Sequence, residues 1–248
     1  MTNNTIIEAG SSAHVEIIGD HVVKTGNWAY DYTTAVAQCV ELGAYAHQLD
    51  KEPVQVAALR NTGIVPGDEG FYVRHTVDFV PGLSIARLPE TAHRQAVAQA
   101  IGQVSAMSTS GDPDRLCLGL DAHTRNWIDT PEGPVLIDLY PPLTRKPNGS
   151  FELGAVPWNR AHYDNAFGTK TGVVTKLLAS SLMGLDGSRG RQLLRLGVQE
   201  DWCYDTLPAD MHPQVRDRVR RELHMRFVPY LAGKALCKVR DKAFGALC

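Results

Sequence analysis

Three side chains with oxygen atoms that could bind a metal ion lie close together in the sequence. Asp121 and Asn126 stand at the two ends of a short polar loop, and Asp138 follows Asn126 by twelve residues, within an apolar run. A carboxylate in such a run is expected to be partly buried, which is costly unless a cation pairs with it. Carboxylate and amide oxygens suit Mg²⁺ when it is bound together with phosphate oxygens. The segment therefore predicts a site for a magnesium-bound phosphate ligand.

The residues before this segment predict a part of the chain that is rich in strands. Gly19-Asp20 reads as a hairpin turn. One helix is predicted from Tyr30 to Leu49, because its apolar residues recur at a spacing of three to four. That apolar stripe comprises Ala35, Val36, Cys39, Val40, Gly43 and Ala46. The predicted strands are Thr5–Glu8, Ala13–Ile18, His21–Lys24, Val54–Leu59 and Phe71–Phe79.

From Val80-Pro81-Gly82 onward the sequence favours helices. A helix is predicted from Thr91 to Met107, and a hairpin made by Trp127-Ile128 and Val135–Leu139 would carry Asp138. An irregular connection follows from 140 to 160, and 164–244 reads as mainly helical. This succession predicts an α+β protein with two lobes, residues 1–79 and residues 80–248.

Composition excludes several classes of protein. The 248 residues are 44% apolar and 21% charged, which suits one large domain or two lobes. A formal charge of -2 gives no support for nucleic acid or an anionic membrane as partner, and it indicates no oligomeric state. The five cysteines are odd in number and lack a Cys-x-x-Cys pair, so free thiols are expected. Because neither a signal peptide nor a long apolar run is visible, we expect a cytoplasmic protein.

The loop with its hairpin resembles the catalytic loop and metal-binding aspartate of the protein-kinase-like superfamily. The small-molecule branch, of the aminoglycoside phosphotransferase and choline kinase type, is the most similar. The order and spacing of the matching segments fit from about residue 5 to residue 140. Besides Asp121, Asn126 and Asp138, those segments are Gly10-Ser11-Ser12, Val22-Val23-Lys24, Glu41 in the predicted helix, and Val77-Asp78-Phe79-Val80-Pro81-Gly82.

This resemblance implies a bilobal kinase-like fold, with a small strand-rich N-lobe that has one helix and a larger, mainly helical C-lobe. Asp121 would accept or orient the proton of an attacking hydroxyl. Asn126 and Asp138 would hold Mg²⁺ against the phosphates of ATP, with GTP also possible.

The resemblance further implies how the nucleotide would be held. Lys24 would contact the α- and β-phosphates and pair with Glu41. Gly10, Ser11 and Ser12 would belong to the hairpin that covers the phosphates. The hinge backbone at Asp78 and Val80 would hold the adenine.

Three departures from the family pattern keep other functions open. Gly119-Leu120 precedes Asp121 where the family often has a histidine, Pro141-Pro142 follows the metal-binding aspartate, and the phosphate-covering turn has one glycine. The function implied first is ATP- or GTP-dependent transfer of the γ-phosphoryl group to a hydroxylated small molecule, such as an aminoglycoside, nucleoside or other sugar-containing metabolite. A catalytically impaired nucleotide-binding pseudokinase or scaffold is the alternative, and transfer of a nucleotidyl group is a third.

Overall fold

An antiparallel sheet of five strands, in the order β1-β2-β3-β5-β4, forms the first part of the chain. The structure is a computed structural model that describes residues 5–7, 13–145, 165–184, 209, 211 and 213–221. The strands are β1 (Thr5–Ile7), β2 (Ala13–Ile18), β3 (His21–Gly26), β4 (Leu59–Gly67) and β5 (Gly70–Asp78).

The register of the sheet places Lys24 at its centre. β2 and β3 pair from Ile18 opposite His21 to Ala13 opposite Gly26, around a turn in which Gly19 has a φ of 62°. β5 pairs with the other edge of β3 and sets His75 opposite Lys24. Since directly paired residues point to the same face, Lys24 and His75 are side-by-side neighbours.

Helix α1 (Tyr32–Leu49) packs on this sheet, and the predicted apolar stripe on it is buried only in part, at Ala35 and Ala46. The helix begins after Asp31, whose carboxylate accepts from the Thr34 N–H at 2.9 Å. Of the predicted stripe, Val40 is 69% exposed and Val36 is 38% exposed. The larger side chains gain more from burial, and the helix is turned to bury them. Its fully covered face contains Ala35, Gln38, Leu42, Tyr45, Ala46 and Leu49.

The second part of the chain combines helices with a small antiparallel sheet. Its three strands are β6 (Leu83–Ser84), β7 (Trp127–Asp129) and β8 (Val135–Leu136). Its helices are α2 (Glu90–Ala106) and α3 (Lys170–Gly184), which pack against each other, and residues 213–221 are also helical. Two short 3₁₀ turns, Ile85–Arg87 and Thr124–Asn126, flank β6 and β7. One continuous apolar core spans both parts.

The predicted strand Val54–Leu59 was wrong. β4 begins at Leu59, and the residues before it bond to β8 in the second part of the chain. The Leu136 N–H donates to Gln55 O at 2.9 Å, and the Ala57 N–H donates to Leu136 O at 2.9 Å. β8 in turn ends at Leu136 rather than at Leu139, and one further hydrogen bond in the same register joins the Ile137 N–H to the carbonyl of Asn126.

The predicted α+β class is confirmed, with an antiparallel sheet first and helices later, as in a bilobal kinase-like fold. The division after residue 79 stays a prediction. Cys39 and Cys117 carry free thiols. Within the described ranges, no helix has the length and apolar character that a membrane span needs.

Candidate active site

Lys24 brings a charged group into the interior, and its partners come from the segment that follows β8. The residue is only 7% exposed. Its Nζ donates to the carbonyl of Ile137 at 2.7 Å and to Asp138 Oδ1 at 3.2 Å. The pairing compensates a buried charge, whose loss of hydration would otherwise be costly. The central strand of the sheet is thus joined directly to the predicted metal-binding aspartate.

Asn126 is fixed by the polar loop in which it lies. Its side-chain Nδ2 donates to the carbonyl of Asp121 at 3.0 Å, and its backbone carbonyl accepts from the Ile137 N–H at 2.8 Å. Asn126 is 7% exposed. Because Nδ2 is used within the loop, the oxygen Oδ1 is the side-chain atom left to meet a ligand, and no described residue bonds to it.

Asp121 lies beside these residues, and its Oδ1 is 4.0 Å from the Nε2 of His123. Its side chain is 31% exposed, yet Oδ1 is buried and has no hydrogen-bond partner within the described part of the chain. Burial, followed by the negative charge of Asp138, raises the pKa of Asp121 to about 6, against smaller lowering effects of Arg125 and Lys176. A carboxyl with such a pKa is suited to proton transfer near neutral pH.

A cleft of about 600 Å³ opens between the two parts of the chain, and Lys24, Asn126 and Asp138 all line it. Its upper wall is apolar and comes from β2 and β3, through Val15, Ile17 and Val22. Its lower wall comes from β7 and the residues after β8, through Ile128 and Ile137. Asp121 is not among the lining residues, but the charge of Asp138, which lines the cleft, acts on its carboxyl. Such a cleft, apolar with a few convergent polar groups, is typical of a small-molecule site.

The predicted hinge forms the far end of the cleft, where Asp78, Phe79 and Val80 line it. Arg60 holds this segment by hydrogen bonds to the carboxylates of Asp78 and Asp20. The N–H groups of Asp78 and Phe79 are used within the protein, donating to Ala58 O and Asp20 O. No such bond is found for the Val80 N–H among the described residues. That donor is available to a planar ligand in the cleft.

The pairing of Lys24 with Glu41, which the family resemblance had implied, stays a prediction. The hydrogen bonds of the Lys24 ammonium go to Asp138 and Ile137 O. α1 turns Leu42 and Tyr45 fully inward, and Glu41 lies off that face, only partly buried. The predicted residues Gly10, Ser11 and Ser12 lie outside the described residues.

The donor set was tested against the predicted magnesium ion. No group of three histidine, cysteine, aspartate or glutamate side chains that could hold a metal is found in the described ranges. A magnesium ion that arrives with phosphates needs only one or two carboxylates from the protein. Asp138 and the Oδ1 of Asn126 supply hard oxygen ligands on one cleft wall, and they fit an ion of that kind.

The sequence analysis missed two residues near the site. Tyr45 is fully buried and donates from its Oη to the carbonyl of Gly119 at 2.6 Å, just before Asp121. Its spacing with Leu42 and Leu49 was a usable signal for an inward helix face. Arg87 also lines the cleft, and no sequence pattern marks it.

Comparison with known proteins gives no family assignment. No protein-family model matches the chain, and no curated protein matches it. Among solved structures, a mutant of aminoglycoside 2′-phosphotransferase IIIa in complex with GDP matches with a TM-score of 0.48 and 11% identity. The match covers 98% of this chain and 92% of that one. At this level the likeness carries over no site residue, substrate or activity.

Proposed function

We propose that the protein is a phosphotransferase that uses ATP or GTP to phosphorylate a hydroxyl group of a small molecule. One observation carries the proposal: Lys24 lines a single cleft of about 600 Å³ together with Asn126 and Asp138, which lie far from it in the sequence. A cation, an amide oxygen and a carboxylate at one end of an apolar cleft are the groups that a nucleoside triphosphate needs. An apolar ligand would form no favourable polar interaction with these three groups.

The nucleotide would lie along the cleft with its base at the hinge and its phosphates at Lys24. The apolar side chains of Val15, Val22 and Ile128 would cover the faces of the base, and the Val80 N–H would donate to it. At the other end, Lys24 would bind phosphate oxygens. Asp138 and Asn126 would hold Mg²⁺, whose chemistry is to neutralise charge on the phosphates.

The acceptor would approach Asp121 from the solvent side of the loop. The side chain of Asp121 is 31% exposed, so a hydroxyl group could donate to the accessible part of its carboxylate. The pKa of about 6 leaves most of this carboxyl ionised at neutral pH while keeping it basic enough to take a proton. Asp121 would thereby orient the hydroxyl toward the γ-phosphorus. Phosphoryl transfer needs mainly such positioning and the neutralisation of charge.

Two substitutions separate nucleotide binding from transfer. Asp138→Ala should abolish calorimetric binding of magnesium-ATP and of magnesium-GTP, because the ion loses its carboxylate and Lys24 loses its partner. Asp121→Ala should keep nucleotide binding and lose transfer, measured as ADP release over a panel of hydroxylated metabolites. Asp112→Ala is the matched control, since that carboxylate lies on an exposed loop outside the cleft.

The outcomes separate the proposal from its alternatives. Binding of nucleotide by the wild-type protein with no turnover of any acceptor would favour the pseudokinase, and release of pyrophosphate rather than ADP would favour nucleotidyl transfer. If the wild-type protein bound no nucleotide, or if both variants turned over normally, the assignment of this cleft would be wrong.

A further inference from the structure

Two arginines face the same cleft from neighbouring turns. Arg87 ends one 3₁₀ turn, Arg125 lies in the other, and both line the cleft. The two turns pack on one another. The fold therefore carries two positively charged residues that are distant in the sequence on neighbouring turns that line one cleft.

Neither arginine forms a direct ion pair with a carboxylate within the part of the chain that the structure describes, although the charge of Arg125 acts on Asp121 at longer range. The two acidic residues that line the cleft already form ion pairs with other residues. Asp138 pairs with Lys24, and Asp78 pairs with Arg60, a residue that does not line the cleft. Both arginines are exposed rather than buried. Like charges held side by side repel each other, and an arriving anion would remove that repulsion.

The position of the pair favours the acceptor as the source of this anion. Arg125 is one residue from Asn126, but it is exposed where Asn126 is buried, so it stands at the mouth of the cleft rather than at its inner end. The positive charges of Arg125 and Lys176 both act on the Asp121 carboxyl, which would face the acceptor hydroxyl. A polycationic acceptor would meet repulsion here, whereas an anionic one would be attracted.

We propose that Arg87 and Arg125 together bind a phosphate or carboxylate group of the acceptor, which is therefore an anionic hydroxylated small molecule such as a sugar phosphate or sugar acid. This inference rests on the proposed function and names its substrate class. Arginine suits the task because its planar fork donates two hydrogen bonds to one phosphate or carboxylate.

The test compares acceptors that share a scaffold and differ in charge. Glucose 6-phosphate, ribose 5-phosphate and glucuronate are set against glucose and ribose, with kanamycin as the cationic probe. We expect binding and turnover to be confined to anionic members of the panel. In Arg87→Gln and Arg125→Gln, the KM for such an acceptor should rise about 10- to 100-fold, as the loss of a charge-assisted contact predicts. The Kd of magnesium-ATP should stay within about twofold, because the pair does not hold the triphosphate.

The controls keep folding and general charge effects apart from this role. Arg74→Gln removes an exposed arginine on β5 that does not line the cleft, and it should leave acceptor KM unchanged. Arg87→Lys keeps the charge but loses the fork, and it should recover part of the affinity. Thermal unfolding of each variant verifies that the exposed substitutions leave the fold intact.

The failures of the two proposals are distinguishable by titrating each acceptor and magnesium-ATP separately. Acceptor binding that needs both arginines, without any nucleotide binding, would overturn the phosphotransferase and leave the anion site standing. Nucleotide binding with a preference for neutral or cationic acceptors, or with none of the anionic probes bound, would overturn the anion site alone. Equal weakening of magnesium-ATP and acceptor would also overturn it, because the pair would then serve the triphosphate.

Discussion

His75 is a buried histidine that has no hydrogen bond to either ring nitrogen within the described residues. It is 1% exposed, and its ring lies 5.8 Å from that of Tyr140. Burial, with the nearby charge of Lys24, lowers its pKa to about 4, and Asp138 opposes this shift. Since the pKa in the unfolded chain is near 6.5, the unfolded state binds more protons between these values. The stability linked to His75 is therefore complete above pH 6.5 and is lost as the pH falls toward 4.

His75→Gln should remove this pH dependence. Between pH 7.5 and pH 4 the free energy of unfolding should fall by about 3 kcal/mol less in the variant than in the wild-type protein, as the pKa difference implies. Urea titrations at several pH values measure it. His47→Gln, at an exposed position on α1, should keep the wild-type slope. If His75→Gln showed the same pH dependence as the wild-type protein, folding would not lower the pKa of His75.

At the scale of elements, the connection between the two parts depends on a glycine. Gly82 has a φ of 143°, and a Cβ there would clash with the carbonyl of Asp129 and lie 2.8 Å from Ile128 Cγ2. Gly102, in the middle of α2, has open space around its missing side chain. Replacing glycine by alanine should therefore change the free energy of unfolding in opposite directions at these two sites.

Gly82→Ala should lower the free energy of unfolding by about 1–3 kcal/mol, because an L-residue is strained at this φ and meets backbone. Gly102→Ala should raise it by about 0.5–1 kcal/mol, since alanine loses less conformational freedom in a helix. Chemical denaturation of both variants gives the comparison. A free energy of unfolding that Gly82→Ala left unchanged or raised would contradict the backbone geometry described for Gly82.

The pattern of apolar residues in the sequence predicted strands and helices well where that pattern is regular. β2 runs from Ala13 to Ile18 as expected, and α1 ends at Leu49 as expected. The inward face of α1 was not predicted correctly, because Val40 and Leu42 are both apolar and only packing decides which one is covered. The strand expected at Val54 failed for a similar reason. Its bonds go to β8, a partner that lies some eighty residues away and that local propensity does not reveal.

At the scale of the whole molecule, Tyr45 joins the first part of the chain to the loop before Asp121. Its hydroxyl donates to Gly119 O, while the Gly119 and Leu120 N–H groups donate to Leu143 O and Phe167 O. This segment lacks the histidine that the kinase resemblance would place before Asp121, and the tyrosine bonds to its backbone from another element.

Tyr45→Phe should therefore act on transfer as well as on stability. Leaving the buried Gly119 carbonyl without its donor should lower the free energy of unfolding by about 1–3 kcal/mol. A displaced Asp121 should reduce kcat at least about tenfold, with the Kd of magnesium-ATP unchanged. Tyr32→Phe, at a 58% exposed position, is the control. Reduced stability with an unaltered kcat would show that Tyr45 supports the fold without positioning the loop.

The candidate site could be predicted from the sequence only in part. Asp121, Asn126 and Asp138 are close in sequence, so one hairpin sufficed to suggest that they meet. Lys24 reaches them across more than a hundred residues, and the family resemblance, rather than any local pattern, supplied that link. Arg87 and Arg125 line the same cleft only because their two 3₁₀ turns pack on each other, which no composition or periodicity specifies.

Because Lys24 and Asp138 form an ion pair, an ionic ligand in this cleft would have to replace one of these two residues as the partner of the other. An anion that arrives alone must take Lys24 from Asp138, and it leaves a partly buried carboxylate without a counter-charge. A cation that arrives alone releases the lysine in the same way. A ligand that delivers opposite charges together compensates both residues at once. Because of this ion pair, we expect neither the anion nor the cation to bind tightly unless the other binds with it.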